Sequence, residues 1–319
     1  MRRPLSAGIV RSATGIRHWA VALAAGFLVA LAPAAPAQPV EEPSASALTG
    51  VLKRIKVSGV VRIGYREAAV PFSFVSQGGT PRGYSIDLCL AIVEDISQAI
   101  GALPLRVEYL RVTPADRIDQ VADGRIDLEC GSTSGTAERR GRVAFSPLIF
   151  VAGTRLLVKR SGAIRSERDL PGRKVAVARG TTNETALRAL LAKPGRAFDL
   201  QVADDYAKAL GSLATGAVDA VAADDVLIAG FLAEKDPRGT YAMVGGPLSH
   251  EPYAIAFAKG DAALADAVQS AFRRLAATRE IRWIYDKWFL RNLPSGVRLG
   301  LPMSLELERS FQILGLPPW

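Results

Sequence analysis

Strand-like and helix-like patterns alternate along the chain. The apolar, β-branched run GVVRIGY at 59–65 predicts a strand, and LRVEYLRV at 105–112 predicts another. Between them, residues 85–100 place apolar side chains three and four positions apart, which predicts a helix that Gly101 ends. Because strands alternate with helices, the pattern predicts an α/β fold with a mainly parallel sheet covered by helices.

The pattern also repeats. The segment IDQVADGRIDLEC at 118–130 resembles LGSLATGAVDAVA at 210–222, since each reads as the end of a helix, a glycine and an apolar strand interrupted by an aspartate. Upstream, VRIGYRE at 61–67 aligns with VAVARGT at 175–181. The chain therefore contains two α/β units of similar order.

Two further extended runs, at 149–159 and 251–261, follow the first and the second unit. Helix-rich sequence follows the second run, so we expect the chain to return to the first unit there. This predicts lobe 1 over 49–152, lobe 2 over 153–250, and over 251–319 a return to lobe 1 with C-terminal helices. Two crossing strands would form the hinge.

The first 37 residues have the pattern of an export signal. Four arginines precede an apolar run at 19–32, and small residues at 35–37 form a cleavage site. A signal peptide over 1–37 and a flexible lead-in over 38–48 are predicted, with a signal anchor as the alternative. Since no other stretch is long and apolar enough to span a bilayer, we expect a soluble periplasmic protein.

Net charge and cysteine usage further limit the functional classes to which the protein can belong. Without the four arginines of the leader, the net charge of +9 falls to +5, and no basic stripe with stacking rings predicts nucleic-acid binding. The leader has no cysteine, so a lipoprotein is not expected. Cys89 and Cys130 are the only cysteines, and the sequence leaves open whether they form one disulfide or two buried thiols.

Catalytic and metal-binding motifs are missing. His250 is the one histidine after the leader, and the string Ser-His-Glu around it is not a triad, because adjacent residues point in different directions. The sequence holds no CxxC, HExxH or GxxxxGK[ST] motif. We therefore expect no enzyme, no metal and no cofactor.

Hydroxyl groups and arginines lie where strands end, and open α/β sheets bind ligands there. After Cys130, the loop offers Ser132 and Ser134, and Thr136 can cap a short helix that carries Arg139. A guanidinium fork suits a carboxylate. The alternative is a Ser/Thr-rich turn with exposed arginines.

The second unit has a matching arrangement. Thr181 and Glu184 have capping-box spacing, which predicts a helix N-terminus able to receive an anion. Asp224 and Asp225 follow the repeated strand, where one carboxylate could receive an ammonium group, although acids at a strand end are often solvated. An anion site, an arginine and an aspartate together describe a zwitterion, and an amino acid is the simplest one.

The sequence resembles the solute-binding proteins of polar amino-acid ABC transporters, and among these the glutamate/aspartate-binding branch. The similarity extends from about Leu52 to Phe311. The segments that carry it are GYSIDLCLAIVEDI, YREAAVPFSF, GRIDLECGSTSGTAERR, VAFSPLIFVAGTRLLVKR, VARGTTNE, ADDVLIAG and IYDKWFLRNLP.

The resemblance implies a type II periplasmic binding protein fold with two lobes that close on the ligand. By position, Arg139 would bind the α-carboxylate with help from Ser134 and the Thr181–Thr182 turn. Asp224 and Ser132 would hold the α-ammonium.

The resemblance also implies residues for the ligand's side chain. Arg66 and Arg117 would face its carboxylate, and Phe72 would pack beside it. Two positions depart from the branch: Pro114 replaces a serine, and Tyr206 replaces a histidine. They leave the choice among glutamate, aspartate, glutamine and asparagine open.

The expected partners are an amino acid and the membrane subunits of an ABC permease, and the protein is expected to be a monomer. The alternatives are an enzyme of the prephenate or arogenate dehydratase type on the same scaffold and a periplasmic amino-acid sensor.

Overall fold

The computed structural model describes residues 48–76, 78–101, 104–236 and 238–317. The predicted signal peptide and nearly all of the predicted lead-in lie outside the described residues. Within the described part of the chain, no helix combines the length and the apolar character needed to cross a membrane.

The secondary structure follows the predicted alternation. The helices are α1 (Gly50–Ser58), α2 (Tyr84–Ala99), α3 (Arg117–Ala122), α4 (Ala137–Arg140), α5 (Thr182–Leu191), α6 (Tyr206–Thr215), α7 (Asp225–Lys235), α8 (Ala262–Ala277), α9 (Glu280–Phe289) and α10 (Leu305–Ile313), with a 3₁₀ helix at Glu167–Asp169. The strands are β1 (Val60–Tyr65), β2 (Ala68–Ala69), β3 (Ser73–Val75), β4 (Pro81–Arg82), β5 (Arg106–Arg111), β6 (Leu128–Glu129), β7 (Val143–Phe145), β8 (Phe150–Ala152), β9 (Thr154–Lys159), β10 (Lys174–Ala178), β11 (Asp199–Ala203), β12 (Ala220–Asp224), β13 (Tyr241–Val244), β14 (Glu251–Tyr253) and β15 (Ala256–Ala258).

Each lobe is built on a five-stranded sheet, and the two sheets share one topology. In lobe 1 the order is β5-β1-β6-β15-β7, and in lobe 2 it is β11-β10-β12-β9-β13. In both sheets three parallel strands are followed by an antiparallel strand that the crossing segment contributes. The predicted α/β fold with mainly parallel sheets and an internal repeat is confirmed.

An aspartate anchors the same position in both repeats, and it is buried at Asp127 and exposed at Asp219. Asp127 accepts a hydrogen bond from the backbone N–H of Arg62 at 2.8 Å, and Asp219 accepts one from Lys174, also at 2.8 Å. Arg62 is therefore equivalent to Lys174. The sequence alignment of 61–67 with 175–181 was two residues out of register, because short apolar strands align almost equally well in either register.

Two short strands join the lobes. β8 leads from lobe 1 into β9 of lobe 2, and β14 leads back to β15, so that β8 and β14 pair antiparallel as a two-stranded ribbon. The predicted lobe boundaries at residues 152 and 250 fall at this ribbon. A pair of extended strands allows rotation by small changes in backbone dihedrals, which is typical of a hinge.

The C-terminal segment after α9 packs against the hinge. Tyr285 Oη donates to the carbonyl of Leu301 at 3.2 Å, and Phe311 of α10 is fully buried. The exposed His250 lies 3.2 Å from Glu306 of α10. Ser295 Oγ donates to Glu234 of α7 at 2.8 Å, so this segment contacts both lobes.

Cys89 of α2 and Cys130, which follows β6, form a disulfide that ties the helix to the sheet. The sequence left this pairing open. Both cysteines are fully buried, and Cys130 lies directly before the loop with the predicted ligand-binding serines.

Candidate ligand-binding cleft

In each lobe, the carboxyl ends of the parallel strands point toward the other lobe. Arg66 and the loop from Gly131 come from lobe 1, and the turn at Thr181 and Asp224 come from lobe 2. These are the ends at which open α/β sheets bind ligands.

Side chains bridge the cleft directly. Arg139 Nη2 donates to the carbonyl of Gly180 in the opposite lobe at 3.2 Å, and Ser134 Oγ lies 3.5 Å from Thr182 Oγ1. The lobes are therefore closed on each other at this point.

Two glycines permit backbone contact between the lobes. A Cβ atom on Gly180, whose φ is +69°, would lie 2.9 Å from Ala115 Cα, and one on Gly230 would lie 2.4 Å from the carbonyl oxygen of Val70. Any side chain at either position would separate the lobes or force a rearrangement.

The hydroxyl-rich loop of lobe 1 leads into a capped helix, as predicted. Thr136 accepts a hydrogen bond from the N–H of Arg139 at 3.3 Å and caps α4. Arg139 Nη1 reaches back to the carbonyl of Ser134 at 3.0 Å. Arg140, in contrast, is exposed and lies over the ring of Phe145. Of the two arginines, Arg139 is thus the one that faces the opposite lobe.

Arg66 and Arg117 are both buried near Tyr206. The Arg66 guanidinium lies 6.0 Å from the centre of the Tyr206 ring. Arg117 Nε donates to Thr133 Oγ1 at 2.6 Å, and its Nη1 donates to the carbonyl of Pro114. Pro114 therefore contributes a carbonyl acceptor to Arg117.

The guanidinium groups influence one another electrostatically. Burial, followed by the neighbouring charge of Arg117, lowers the pKa of Arg66 to about 10. Burial and Arg117 likewise lower the pKa of Arg139 to about 10. At neutral pH Arg66 and Arg139 stay protonated, so this side of the cleft has a positive potential that a carboxylate would relieve.

Lobe 2 presents a helix N-terminus and a polar network. Thr181 caps α5 by accepting from the N–H of Glu184 at 3.2 Å, as predicted. Asn183 donates to Thr154 and to Asp224, each at 2.7 Å, and accepts from the hydroxyl of Tyr206 at 2.7 Å. The Tyr206 hydroxyl is thus the donor in its hydrogen bond with Asn183.

Asp224 ends β12 and is almost fully buried. Asn183 and the hydroxyl of Tyr253 each donate to one of its oxygens. Burial and then the nearby Glu251 raise the pKa of Asp224, the hydrogen bonds from Tyr253 and Asn183 lower it, and the result is about 7. An ammonium group beside Asp224 would favour its ionised form.

Sequence reasoning missed Asn183, Glu251 and Tyr253. Glu251 is 1 % exposed and accepts hydrogen bonds from Ser134 at 2.5 Å and from Ser249 at 2.6 Å. It connects the loop of lobe 1 to the hinge. No local pattern in the Ser-His-Glu string marks its glutamate as a partner of Ser134, because the two residues are 117 positions apart.

The remaining predicted residues differ in their placement. Ser132 is buried in the same loop as Ser134. Phe72 is fully buried in an aromatic cluster of lobe 1, with ring centres 5.1 Å from Phe150 and 5.1 Å from Tyr253. Phe72 therefore reaches the polar residues through Tyr253, whose hydroxyl binds Asp224.

Two cavities open at this level of the cleft. One of about 50 Å³ lies beside Arg66, Pro114 and Tyr206. The other, of about 580 Å³, lies between the β2–β3 turn and helices α6 and α7, and its lining is mostly apolar. The cavity beside the guanidinium groups has room for about one or two water molecules. A ligand larger than that therefore enters only when the lobes separate.

In the described residues, no group of three or more His, Cys, Asp or Glu side chains is arranged to hold a metal ion.

Comparison with known proteins agrees with this architecture. The model of the bacterial extracellular solute-binding proteins, family 3, matches residues 61–291. An L-glutamate/L-aspartate-binding protein of Pseudomonas aeruginosa is 39 % identical over 267 residues, which cover 83 % of this chain and 88 % of the relative. A glutamate/aspartate import solute-binding protein of Escherichia coli is 32 % identical over 84 % of this chain and 89 % of the relative.

Solved structures share the fold. An ancestral arginine-binding protein bound to glutamine matches with a TM-score of 0.65 and 30 % identity, over 72 % of this chain and 98 % of that protein. An ancestral amino-acid-binding protein described as a precursor of cyclohexadienyl dehydratase matches with a TM-score of 0.65 and 28 % identity, over 75 % of this chain and 99 % of that protein. With the family model covering most of its length, the chain belongs to family 3 of the bacterial extracellular solute-binding proteins.

Proposed function

We propose that this protein binds glutamate or aspartate between its lobes and delivers it to the membrane permease of an ABC importer. The observation that carries the proposal is the division of charge across the cleft. Three guanidinium groups lie on the lobe 1 side and the buried Asp224 lies on the lobe 2 side. The names of the two curated relatives support the same ligand class.

In this proposal the two ends of the amino acid are recognised separately. Arg139, Ser134 and the N-terminus of α5 at Thr181 and Thr182 bind the α-carboxylate, because they supply donors from both lobes. Asp224 binds the α-ammonium, with Ser132 beside it.

The side-chain carboxylate lies toward Arg66 and Arg117, with the ring of Phe72 packed behind. Two buried guanidinium groups favour an anion over an uncharged amide, since an amide leaves their charge uncompensated. Tyr206 and Pro114 reduce this preference: Tyr206 adds no positive charge in place of a histidine, and Pro114 offers no hydroxyl in place of a serine.

Titration calorimetry with glutamate, aspartate, glutamine and asparagine tests the proposal. We expect the acids to bind about tenfold more tightly than the amides. Glutamine binding as tightly as glutamate would disprove the acidic pocket, and no binding of any of the four would disprove the amino-acid site. Small-angle scattering with and without saturating glutamate tests closure, because an unchanged radius of gyration contradicts the two-lobe clamp.

We further propose that the protein acts as a periplasmic carrier rather than as an enzyme, and as a monomer. The curated relatives are named as binding proteins, although one structural neighbour is described as a dehydratase precursor. NMR of prephenate or arogenate incubated with the protein separates the two roles, since turnover would show an enzyme. Uptake of labelled glutamate by cells with and without the gene tests delivery to a permease.

A further inference from the structure

Glu129 is a buried acid that the binding proposal does not use. It is the last residue of β6, its exposure is 0 %, and within the described residues neither of its carboxylate oxygens has a hydrogen-bond partner. A fully buried carboxylate that receives no hydrogen bond from the protein is tolerated where nearby positive charge compensates it.

The positive charge is that of the proposed ligand pocket. A Cβ atom on Gly131 would lie 2.3 Å from Glu129 Oε1 and 2.9 Å from Arg66 Cγ, so the carboxylate and the Arg66 side chain meet at the same glycine. The negative charge of Glu129 also raises the pKa of both Arg66 and Arg139, against the effect of burial. Glu129 therefore acts on the guanidinium groups through space rather than through a hydrogen bond.

Comparison of the two repeats shows that the buried acid and the buried arginines occur in the same lobe. With Asp127 equivalent to Asp219, Glu129 is equivalent to Val221, and Val221 is fully buried. By the same register, Arg66 is equivalent to Ala178 and Arg117 to Ala209, which are also fully buried. Lobe 2 thus has neither the two arginines nor the acid, as expected if the acid compensates the arginines.

We propose that Glu129 is a specificity-determining residue: an internal counterion that offsets part of the positive charge of the Arg66–Arg117 pocket and thereby weakens its preference for an acidic side chain over an amide. The inference rests on the proposed amino-acid binding. The direction of the effect on selectivity follows from Coulomb's law, because a fixed negative charge near the pocket repels a ligand carboxylate but acts little on a neutral amide.

The test is the ratio of affinities for glutamate and glutamine in Glu129→Gln, an isosteric change that removes the charge. We expect the ratio to rise by about threefold or more, since one charge in a buried site of effective dielectric near 20 acts over several ångströms. Glu129→Met, which also removes the charge and keeps the length of the side chain, is expected to shift the ratio in the same direction.

Asp127→Asn is the matched control. Asp127 lies two residues earlier on the same face and is also buried, but Arg54 and Arg62 bind its carboxylate at 2.5 and 3.0 Å, away from the pocket. The control removes the same charge and is expected to leave the ratio unchanged.

A ratio that stays constant or falls in Glu129→Gln would overturn the inference while the unmodified protein still binds both ligands. If the unmodified protein binds neither, the proposed function fails instead.

Discussion

The two faces of the cleft come from the same repeat but use different chemistry. Lobe 1 presents guanidinium groups, and two of them donate to backbone carbonyls: Arg117 to Pro114, and Arg139 to Ser134 and Gly180. Lobe 2 presents side chains that hydrogen-bond to one another, with Asn183 at the centre. Lobe 1 therefore supplies net charge, whereas lobe 2 supplies a fixed polar surface and one carboxylate.

The difference indicates a division of labour between the lobes. Charge acts over distance and discriminates between a carboxylate and an amide, while a fully hydrogen-bonded network fixes geometry without favouring either. Substitutions in lobe 1 are expected to change both affinity and selectivity, and substitutions in the lobe 2 network are expected to weaken all ligands alike.

The largest effect is expected at Arg139, which belongs to lobe 1 but reaches lobe 2. Arg139→Ala should weaken binding of all four amino acids by about 30-fold to a few thousand-fold, because a buried α-carboxylate loses its charged partner. Calorimetry measures the loss. Arg140→Ala is the control, since the next arginine is exposed, and equal losses in both variants would contradict the assignment.

The second effect is a pH dependence that lobe 2 introduces through Asp224. Its pKa of about 7 means that part of the protein carries a neutral Asp224 below pH 7. A bound ammonium favours the carboxylate, so binding releases a proton and the affinity should rise by about tenfold from pH 6 to pH 8, then level off. Asp224→Asn should remove this dependence.

His250 is the one histidine after the leader, and it provides the control for that experiment. It is exposed at the hinge beside Glu306, so His250→Gln should leave the pH profile unchanged. A profile that flattens in His250→Gln, but not in Asp224→Asn, would assign the titration to the hinge instead.

A smaller effect on affinity, but a specific one on selectivity, is expected at Arg117. Arg117→Met removes one of two charges from the side-chain pocket and should reduce the preference for glutamate over glutamine by several-fold. Competition calorimetry gives the ratio. Arg111→Met serves as the control, because Arg111 is half exposed and paired with Glu67 at the cleft edge. A ratio unaffected by Arg117→Met would mean that Arg117 is structural.

The smallest effect is expected at Tyr206, within the lobe 2 network. Tyr206→Phe removes the donor to Asn183 and should cost about 1–2 kcal/mol of stability, because the buried amide oxygen loses its partner. Binding of acids and amides should weaken equally. Thermal unfolding measures the loss of stability, and the ratio of the affinities for glutamate and glutamine measures the effect on selectivity. A change in the affinity ratio would show that the Tyr206 hydroxyl contacts the ligand's side chain.

Local signals explain what the sequence could predict. Thr136 and Thr181 were recognised as helix caps because an N-cap and its partner lie within three residues. The strand ends at Asp224 and at the hydroxyl-rich loop followed from hydrophobic periodicity. Arg139 was proposed from the loop and helix that carry it, whereas Arg66, Arg117 and Phe72 came from the family resemblance alone. The roles of all four in binding stay predictions.

Long-range contacts explain what the sequence could not predict. Glu251 and Ser134 are 117 positions apart and meet only because the chain returns through the hinge. Asn183 lies 29 positions from Thr154 and faces inward from the first turn of α5, where periodicity does not distinguish it from a surface asparagine. The repeat register was misjudged by two residues because hydrogen bonds, not side-chain polarity, define it.

The glycine contacts between the lobes have a consequence for rates. Gly180 and Gly230 let backbone meet backbone at two separate points of the closed cleft. A methyl group at Gly230 would strain the closed form and leave the open form untouched. Since an amino acid enters the open form and is held by the closed one, Gly230→Ala should shorten the residence time of the ligand while its association rate stays the same.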